Sequence, residues 1–279
     1  MPTTTTTRIA FIGGGNMARS LIAGLVADGY DAARLSVSDP DTTKSEALAN
    51  HFGISACTST AAAIDAAEVI VLCVKPQVAA GVCRELGMHL RAPLPLVISV
   101  MAGVSEPSIR GWLGQPIALV RAMPNTPVLV QSGAIGLHAA EGTDAHQSNL
   151  AEEILRAGGL THWVKSEAEL DTVTALSGSG PAYFFLLMEA LEEAAVAEGL
   201  DAEGARLLSI QTALGAARMA VESDESPRQL RQRVTSPGGT TERAIAVFED
   251  GGLPALTRRA VAAARQRAHE LSELIAEDK

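Results

Sequence analysis

Four apolar residues, Ile9-Ala10-Phe11-Ile12, run into Gly13-Gly14-Gly15-Asn16-Met17-Ala18, and the chain passes at once into the helical spacing Met17, Leu21, Leu25. No other stretch limits the fold as tightly, because it asks for a strand, a sharp turn and a helix in immediate succession. Without a side chain at Gly13 the backbone turns sharply, and without one at Gly15 it can approach a pyrophosphate. A small residue at Ala18 keeps helix and strand close. Phosphate groups would then meet free N–H groups at a helix N-terminus. Asp39 ends the next apolar run 21 residues beyond Ala18, close to the spacing of about 20 at which a carboxylate reaches the adenosine ribose. Asp39-Pro40 is also an ordinary way to open a turn.

The chain has 279 residues and 47% apolar content, enough for two domains or one large one with a sizeable core. Its 22 basic and 32 acidic side chains leave a formal charge of −10, and no basic block offsets it locally, so nucleic acid and anionic membrane surfaces are not expected partners. Cys57, Cys73 and Cys83 form neither an even set nor a CxxC pair, which points to reduced thiols in a cytoplasmic protein. The threonine-rich start, residues 1–7, lacks the features of a signal peptide and reads as a frayed tail. No apolar run is long enough to cross a bilayer.

Up to residue 165, β-branched runs alternate with helical patterns: 8–12, 35–39, 69–74, 96–100, 117–121, 134–138 and 160–164. This alternation predicts an α/β fold with a doubly wound, Rossmann-type parallel sheet over residues 1–165. From 166 to 279 the strand signals stop, and an all-α domain is expected, with helices near 180–198, 201–222, 240–249 and 253–276. Apolar residues on the second of these cover more than one stripe, which suggests burial on several sides and a partner chain to supply the second surface. The expectation is a substrate-binding and dimerisation domain, in a homodimer or larger homo-oligomer.

Several segments carry candidate chemistry. Val74-Lys75-Pro76-Gln77 follows a strong strand, so it falls at the carboxyl edge where ligands bind, and Lys75 there either faces a cofactor or is merely solvated. Asn125, between Pro124 and Pro127, could bond a ribose or a substrate, or serve turn chemistry. Ser177-Gly178-Ser179-Gly180-Pro181 reads first as a tightly packed helix start. Ser236-Pro237-Gly238-Gly239-Thr240-Thr241 pairs two glycines with consecutive hydroxyls at a helix start, an arrangement that favours a small carboxylate, although a plain cap has the same ingredients. The six histidines show no metal spacing, so no metal site is expected. No GxSxG elbow or Cys/His pair offers a nucleophile.

Together, the glycine turn, Val74 to Gln77, Met123-Pro124-Asn125-Thr126-Pro127, Leu176 to Tyr183 and Ser236 to Thr241 closely resemble pyrroline-5-carboxylate reductase. The likeness runs from about residue 8 to residue 275, and five motifs in this order are far more specific than any one. The resemblance implies reduction of 1-pyrroline-5-carboxylate to L-proline with NADPH or NADH, the last step of proline synthesis. It implies that Ile12, Gly13, Gly14, Gly15, Asn16 and Met17 lie on the pyrophosphate, and that Val74, Lys75, Pro76 and Ala102 lie beside the cofactor. It places Gly239, Thr240 and Thr241 on the substrate carboxylate with Ser236 in the same loop, and puts Thr241 at the ring nitrogen. The catalytic candidates are therefore Thr241 and Ser236. The acidic residue that relatives carry ahead of this loop corresponds to Asp224 or Glu225. A 2′-phosphate at the end of the second strand would face Asp39 and Asp41, with Lys44 close enough in sequence to relieve the repulsion.

Two other readings differ in kind. A 3-hydroxyacid dehydrogenase of similar build would use a helix-borne lysine, and no lysine occurs between Lys165 and Lys279. A protein that only senses NAD(P) would not need Ser236 to Thr241.

Overall fold

The structure, a computed structural model, describes residues 6–277. Of the expected tail 1–7, residues 1–5 lie outside the described residues, while the Thr7 carbonyl accepts a hydrogen bond from the Tyr30 hydroxyl at 2.7 Å. Packing divides the chain into two compact units, one formed by the chain up to Ser179 together with the stretch from Ala264 onward, the other by Gly180–Ala263.

The first unit holds a single eight-stranded sheet. Its strands are β1 (Ile9–Ile12), β2 (Leu35–Ser38), β3 (Ser55–Ala56), β4 (Val69–Leu72), β5 (Leu96–Ser99), β6 (Leu119–Met123), β7 (Gly133–Ala139) and β8 (Gly159–Trp163). They are ordered β3-β2-β1-β4-β5-β6-β7-β8. Helices α1 (Asn16–Ala27), α2 (Thr42–Phe52), α3 (Thr60–Ile64), α4 (Ala79–His89), α5 (Glu106–Leu113), α6 (Ala145–Arg156) and α7 (Glu169–Val173) alternate with the strands or follow them.

Strand alternation explains why both faces are covered. On β1, Ile9 and Phe11 join a buried cluster with Leu21, Ile22 and Leu25 of α1, whereas Ala10 and Ile12 join another with Cys83 and Leu86 of α4 and Ile109 of α5. Strand β4 does the same, with Val69 and Val71 on one face and Ile70 and Leu72 on the other. Successive side chains of a strand point to opposite faces, so four consecutive apolar residues require helices on both sides. This is the physical content of the doubly wound expectation.

Two details depart from it. Strands β1 to β6 pair in parallel, but β6 and β7 are antiparallel. The connection between them holds only a short 3-10 turn, Thr126–Val130, whereas a parallel return needs a crossover of about a dozen residues or more. The sheet is therefore mostly rather than wholly parallel. Strand β3 is an exposed two-residue edge, too short to show any alternation in sequence.

After α7 a π-helical turn covers Thr174–Gly178. The second unit then contains α8 (Gly180–Ala197), α9 (Ala202–Glu222), α10 (Pro227–Arg233), α11 (Thr240–Asp250) and the first part of α12 (Leu253–Glu277). Helix α8 packs against α9, with the Ser209 hydroxyl donating to the Met188 carbonyl at 3.1 Å. Asp201 caps α9 by accepting from the Gly204 amide at 2.8 Å. Sequence periodicity does not reveal α10, although Ser226 and Gln229 form a capping box at its start. Among the described residues 180–263, Ala205 is the only buried apolar side chain. Phe184 and Phe185 of α8 are each 64% exposed and Leu186 is 66% exposed.

No helix of the described residues is long and apolar enough to cross a membrane. The three cysteines are free. Cys83 is buried, Cys57 and Cys73 are half-buried, and burial pushes all three thiols up, Cys83 to about 12. They have no thiolate character at neutral pH.

Candidate active site

Because β1, β2, β4, β5 and β6 run parallel, their carboxyl ends open on one edge of the sheet. Gly13 follows β1, Asp39 follows β2, Val74 to Pro76 follow β4, and Ala102 follows β5, so the first unit brings these candidates to that edge.

The glycine turn is shaped by its neighbours. Gly13 has φ +101°, and a Cβ there would stand 2.8 Å from the Cys73 carbonyl oxygen and 3.1 Å from Val74 Cγ1. Its amide donates to the Ser38 carbonyl at 2.8 Å. The Gly14 amide donates to Asp39 Oδ2 at 2.8 Å. Gly15 is the N-cap of α1 and has no side chain to offer, so no side-chain cap occupies the first-turn amides that begin at Asn16. A Cβ at Gly15 would meet nothing within 4 Å. A turn closed behind Gly13, open in front of Gly15 and backed by an uncapped helix start fits a dinucleotide pyrophosphate.

Asp39 is more tightly held than a free ribose ligand would be. Its Oδ1 accepts from the Asp41 amide at 2.9 Å and lies 3.8 Å from Lys44 Nζ, while Oδ2 takes the Gly14 amide. The carboxylate thus pins the turn, with its side chain 13% exposed.

Lys75 is exposed and precedes a 3-10 turn, Pro76–Val78. Pro76 and Ala102 line a cavity of about 170 Å³ together with Gln77, Gly103, Arg121 and Met123, closed on one side by Leu271 and Ile275 of α12. A larger hollow of about 590 Å³, lined among others by Arg8, His89 and Arg91, sits at the opposite, amino edge of the sheet, away from every candidate residue. The strand direction favours the smaller one as the ligand side.

Asn125 is nearly buried, and its carboxamide bridges two segments. Oδ1 accepts from the Ala134 amide at 2.9 Å, and Nδ2 donates to the Ser177 carbonyl at 3.0 Å. Ser177 itself donates to the Val173 carbonyl at 3.0 Å within the π-helical turn.

Arg121 is a further residue at this edge that none of the sequence motifs singles out. Its Nη1 meets Glu167 Oε1 at 2.5 Å, and the same oxygen accepts from the Glu106 amide at the start of α5, also at 2.5 Å. The available signal was a lone cation on an otherwise apolar interior strand, at the end nearest the ligand edge.

In the second unit, Gly238 takes φ +73° and Gly239 donates to the Ser236 carbonyl at 3.0 Å, which closes the loop on itself. Gly239 is the N-cap of α11 and, like Gly15, provides no side-chain cap. Thr241 is half-buried, and Ser236 and Thr240 are exposed. Glu242, absent from the candidates, reaches back from the first turn to accept the Gly238 amide at 2.8 Å. Of the two acidic positions upstream, Glu225 is paired with Arg233, and Asp224 is exposed.

Comparison with known proteins covers both units. A family described as pyrroline-5-carboxylate reductase dimerisation matches residues 167–271, and one described as NADP oxidoreductase, coenzyme F420-dependent, matches residues 8–103. The chain is 50% identical over 268 residues to the pyrroline-5-carboxylate reductase of Pseudomonas aeruginosa, covering 96% of this chain and 98% of that protein. It is 42% identical to that of Pasteurella multocida, covering 95% and 98%. Among solved structures, a pyrroline-5-carboxylate reductase from Coxiella burnetii matches with TM-score 0.93 and 51% identity over 95% of this chain and 98% of that one. A Plasmodium falciparum pyrroline carboxylate reductase with NADP bound matches with TM-score 0.82 and 27% identity over 97% and 100%.

Proposed function

This chain belongs to the pyrroline-5-carboxylate reductase family, and we propose that it reduces 1-pyrroline-5-carboxylate to L-proline with NADPH or NADH, as a cytoplasmic homo-oligomer. The observation that carries the reading is the pair of glycine-capped helix starts, Gly15 before α1 and Gly239 before α11, neither with a side chain over its first-turn amides. One suits a pyrophosphate and the other a small carboxylate.

When bound, the dinucleotide supplies the hydride that reduces the imine carbon while its nicotinamide ring is oxidised. The protein's own residues bind and orient. Ile12 to Met17 hold the pyrophosphate, Asp39 reaches the ribose edge, and Val74, Lys75, Pro76, Ala102 and the loop clamped by Asn125 flank the cofactor. Ser236, Gly239, Thr240 and Thr241 hold the substrate carboxylate, and the Thr241 hydroxyl directs a hydrogen bond at the ring nitrogen, which takes its proton from water. Aligning two rings lowers the barrier without any covalent nucleophile, consistent with a site of glycines and hydroxyls.

The near absence of a core in residues 180–263 supports the oligomer, because a helical unit with its phenylalanines outside lacks the burial that holds a domain together. The reaction is tested with purified protein, synthetic 1-pyrroline-5-carboxylate and each reduced cofactor. Proline should form in equal amount to cofactor oxidised, and no proline with either cofactor would reject the reading.

A further inference from the structure

We propose that Lys44, in the first turn of α2, is the residue that lets this chain accept a reduced nicotinamide dinucleotide bearing a 2′-phosphate; the proposal rests on the cofactor reading above. Its ammonium lies 3.8 Å from Asp39 Oδ1 and 3.5 Å from Asp41 Oδ2, between two carboxylates that a phosphate at this edge would face. Its stem is equally close to the dinucleotide turn. A Cβ built on Gly14 would stand 3.4 Å from both Asp39 Cβ and Lys44 Cβ, so the two residues wall the same glycine.

The arrangement lets Lys44 move at small cost. Asp39 keeps a backbone donor on each oxygen, the Gly14 amide on Oδ2 and the Asp41 amide on Oδ1. Asp41 keeps the Thr43 hydroxyl at 2.5 Å and the Thr43 amide at 3.2 Å on its Oδ1. Each carboxylate keeps these donors when the ammonium leaves: the Thr43 hydroxyl, more than Lys44, holds the Asp41 carboxyl below its usual range, and the Lys44 side chain is 52% exposed on a flexible stem. With NADH bound, Lys44 rests on the two aspartates. With NADPH bound, it turns to the 2′-phosphate and offsets their repulsion. Without it, two negative side chains alone would face a phosphate of like charge.

The test is equilibrium titration of NADPH and NADH, followed by nucleotide fluorescence, into purified wild type, Lys44→Met and Lys44→Arg at low and moderate salt. In Lys44→Met the Kd for NADPH should rise about tenfold while that for NADH stays within about twofold. Lys44→Arg should stay near wild type for NADPH. Added salt should narrow the difference between wild type and Lys44→Met, because a half-exposed charge is screened. Equal changes for both nucleotides, no change for NADPH, or a wild type that does not bind NADPH would each overturn the proposal. The readout is binding, so a wild type that holds both nucleotides yet reduces no imine would count against the proposed reaction and leave this inference standing.

Discussion

Glu167 Oε1 accepts from Arg121 Nη1 and from the Glu106 amide, each at 2.5 Å. One carboxylate oxygen thus ties the ligand end of β6 to the start of α5, and Arg121 in turn lines the cavity beside Ala102. Glu167→Gln removes the charge but keeps the shape, and it leaves a mostly buried guanidinium without its counter-ion. The expected cost is about 1.5–3 kcal/mol, seen as a fall of several degrees in Tm at roughly 2–4 °C per kcal/mol. Cofactor affinity should fall with it, since Arg121 loses its anchor. Thermal unfolding and nucleotide titration check both, and unchanged values would reduce the contact to a surface pair.

Much of this was legible in the sequence. Ile9 to Ile12 followed by Gly13 specified strand, turn and helix locally, because the apolar run, the missing side chains and the helical spacing all act within one short segment. Pro181 and Gly199 likewise bracketed α8, which spans Gly180–Ala197, with Gly199 at φ +100°. The antiparallel β6–β7 pair was not legible, since runs at 117–121 and 134–138 look alike whichever way the second returns. The Arg121–Glu167 contact spans 46 positions and depends on how the segment leading into α7 is placed. No local propensity encodes that. Helix α10 was within reach: the side chains of Ser226 and Gln229 accept from each other's backbone amides across its first turn, a signal independent of apolar spacing.

Thr241→Ala is expected to lower kcat by roughly tenfold to a hundredfold, the loss of about 1–3 kcal/mol from one hydrogen bond made in the transition state. Dinucleotide affinity should stay as in wild type, because Gly13 to Met17 are untouched. Steady-state kinetics beside nucleotide titration separates the two effects. An unaltered kcat/KM would remove Thr241 from the chemistry.

Light scattering should give a mass of at least twice the 28.9 kDa of one chain. Phe184, Phe185 and Leu186 stand out from α8 as Leu207 and Leu208 do from α9, and apolar surface on this scale calls for a second chain. Replacing Phe185 with Asp should shift the assembly toward smaller species and lower its thermal stability. A wild type that is monomeric and active would refute the assembly.

Alkaline stability should depend on Tyr30, whose hydroxyl burial pushes up to about 12 from an ordinary value of about 10. The folded state therefore holds this proton over a range where the unfolded chain releases it. Stability from this source is complete below pH of about 10 and is lost as pH rises toward about 12. Tyr30→Phe abolishes that loss but gives up the bond to the Thr7 carbonyl, which costs about 0.5–1.5 kcal/mol at neutral pH. Denaturant midpoints measured from pH 7 upward should show the variant below wild type at first and the gap closing above pH of about 10. Parallel curves would show that Tyr30 does not set the alkaline limit.

Asp39 should act on cofactor choice and on the turn together, because its carboxylate already holds the Gly14 amide. In Asp39→Ser the turn loses a charge-assisted bond, so affinity for both nucleotides should drop, by roughly tenfold or more for NADH. NADPH should lose less, since removal of the carboxylate also removes repulsion from the 2′-phosphate. The ratio of kcat/KM for NADPH to that for NADH therefore rises even as both values decline, and the rise is larger at low salt than at moderate salt. Measuring both cofactors in wild type and variant at two salt concentrations decides the matter. If both values fall by the same factor, Asp39 serves only as the clamp on Gly14, and cofactor choice rests with Lys44 and the other groups at the start of α2.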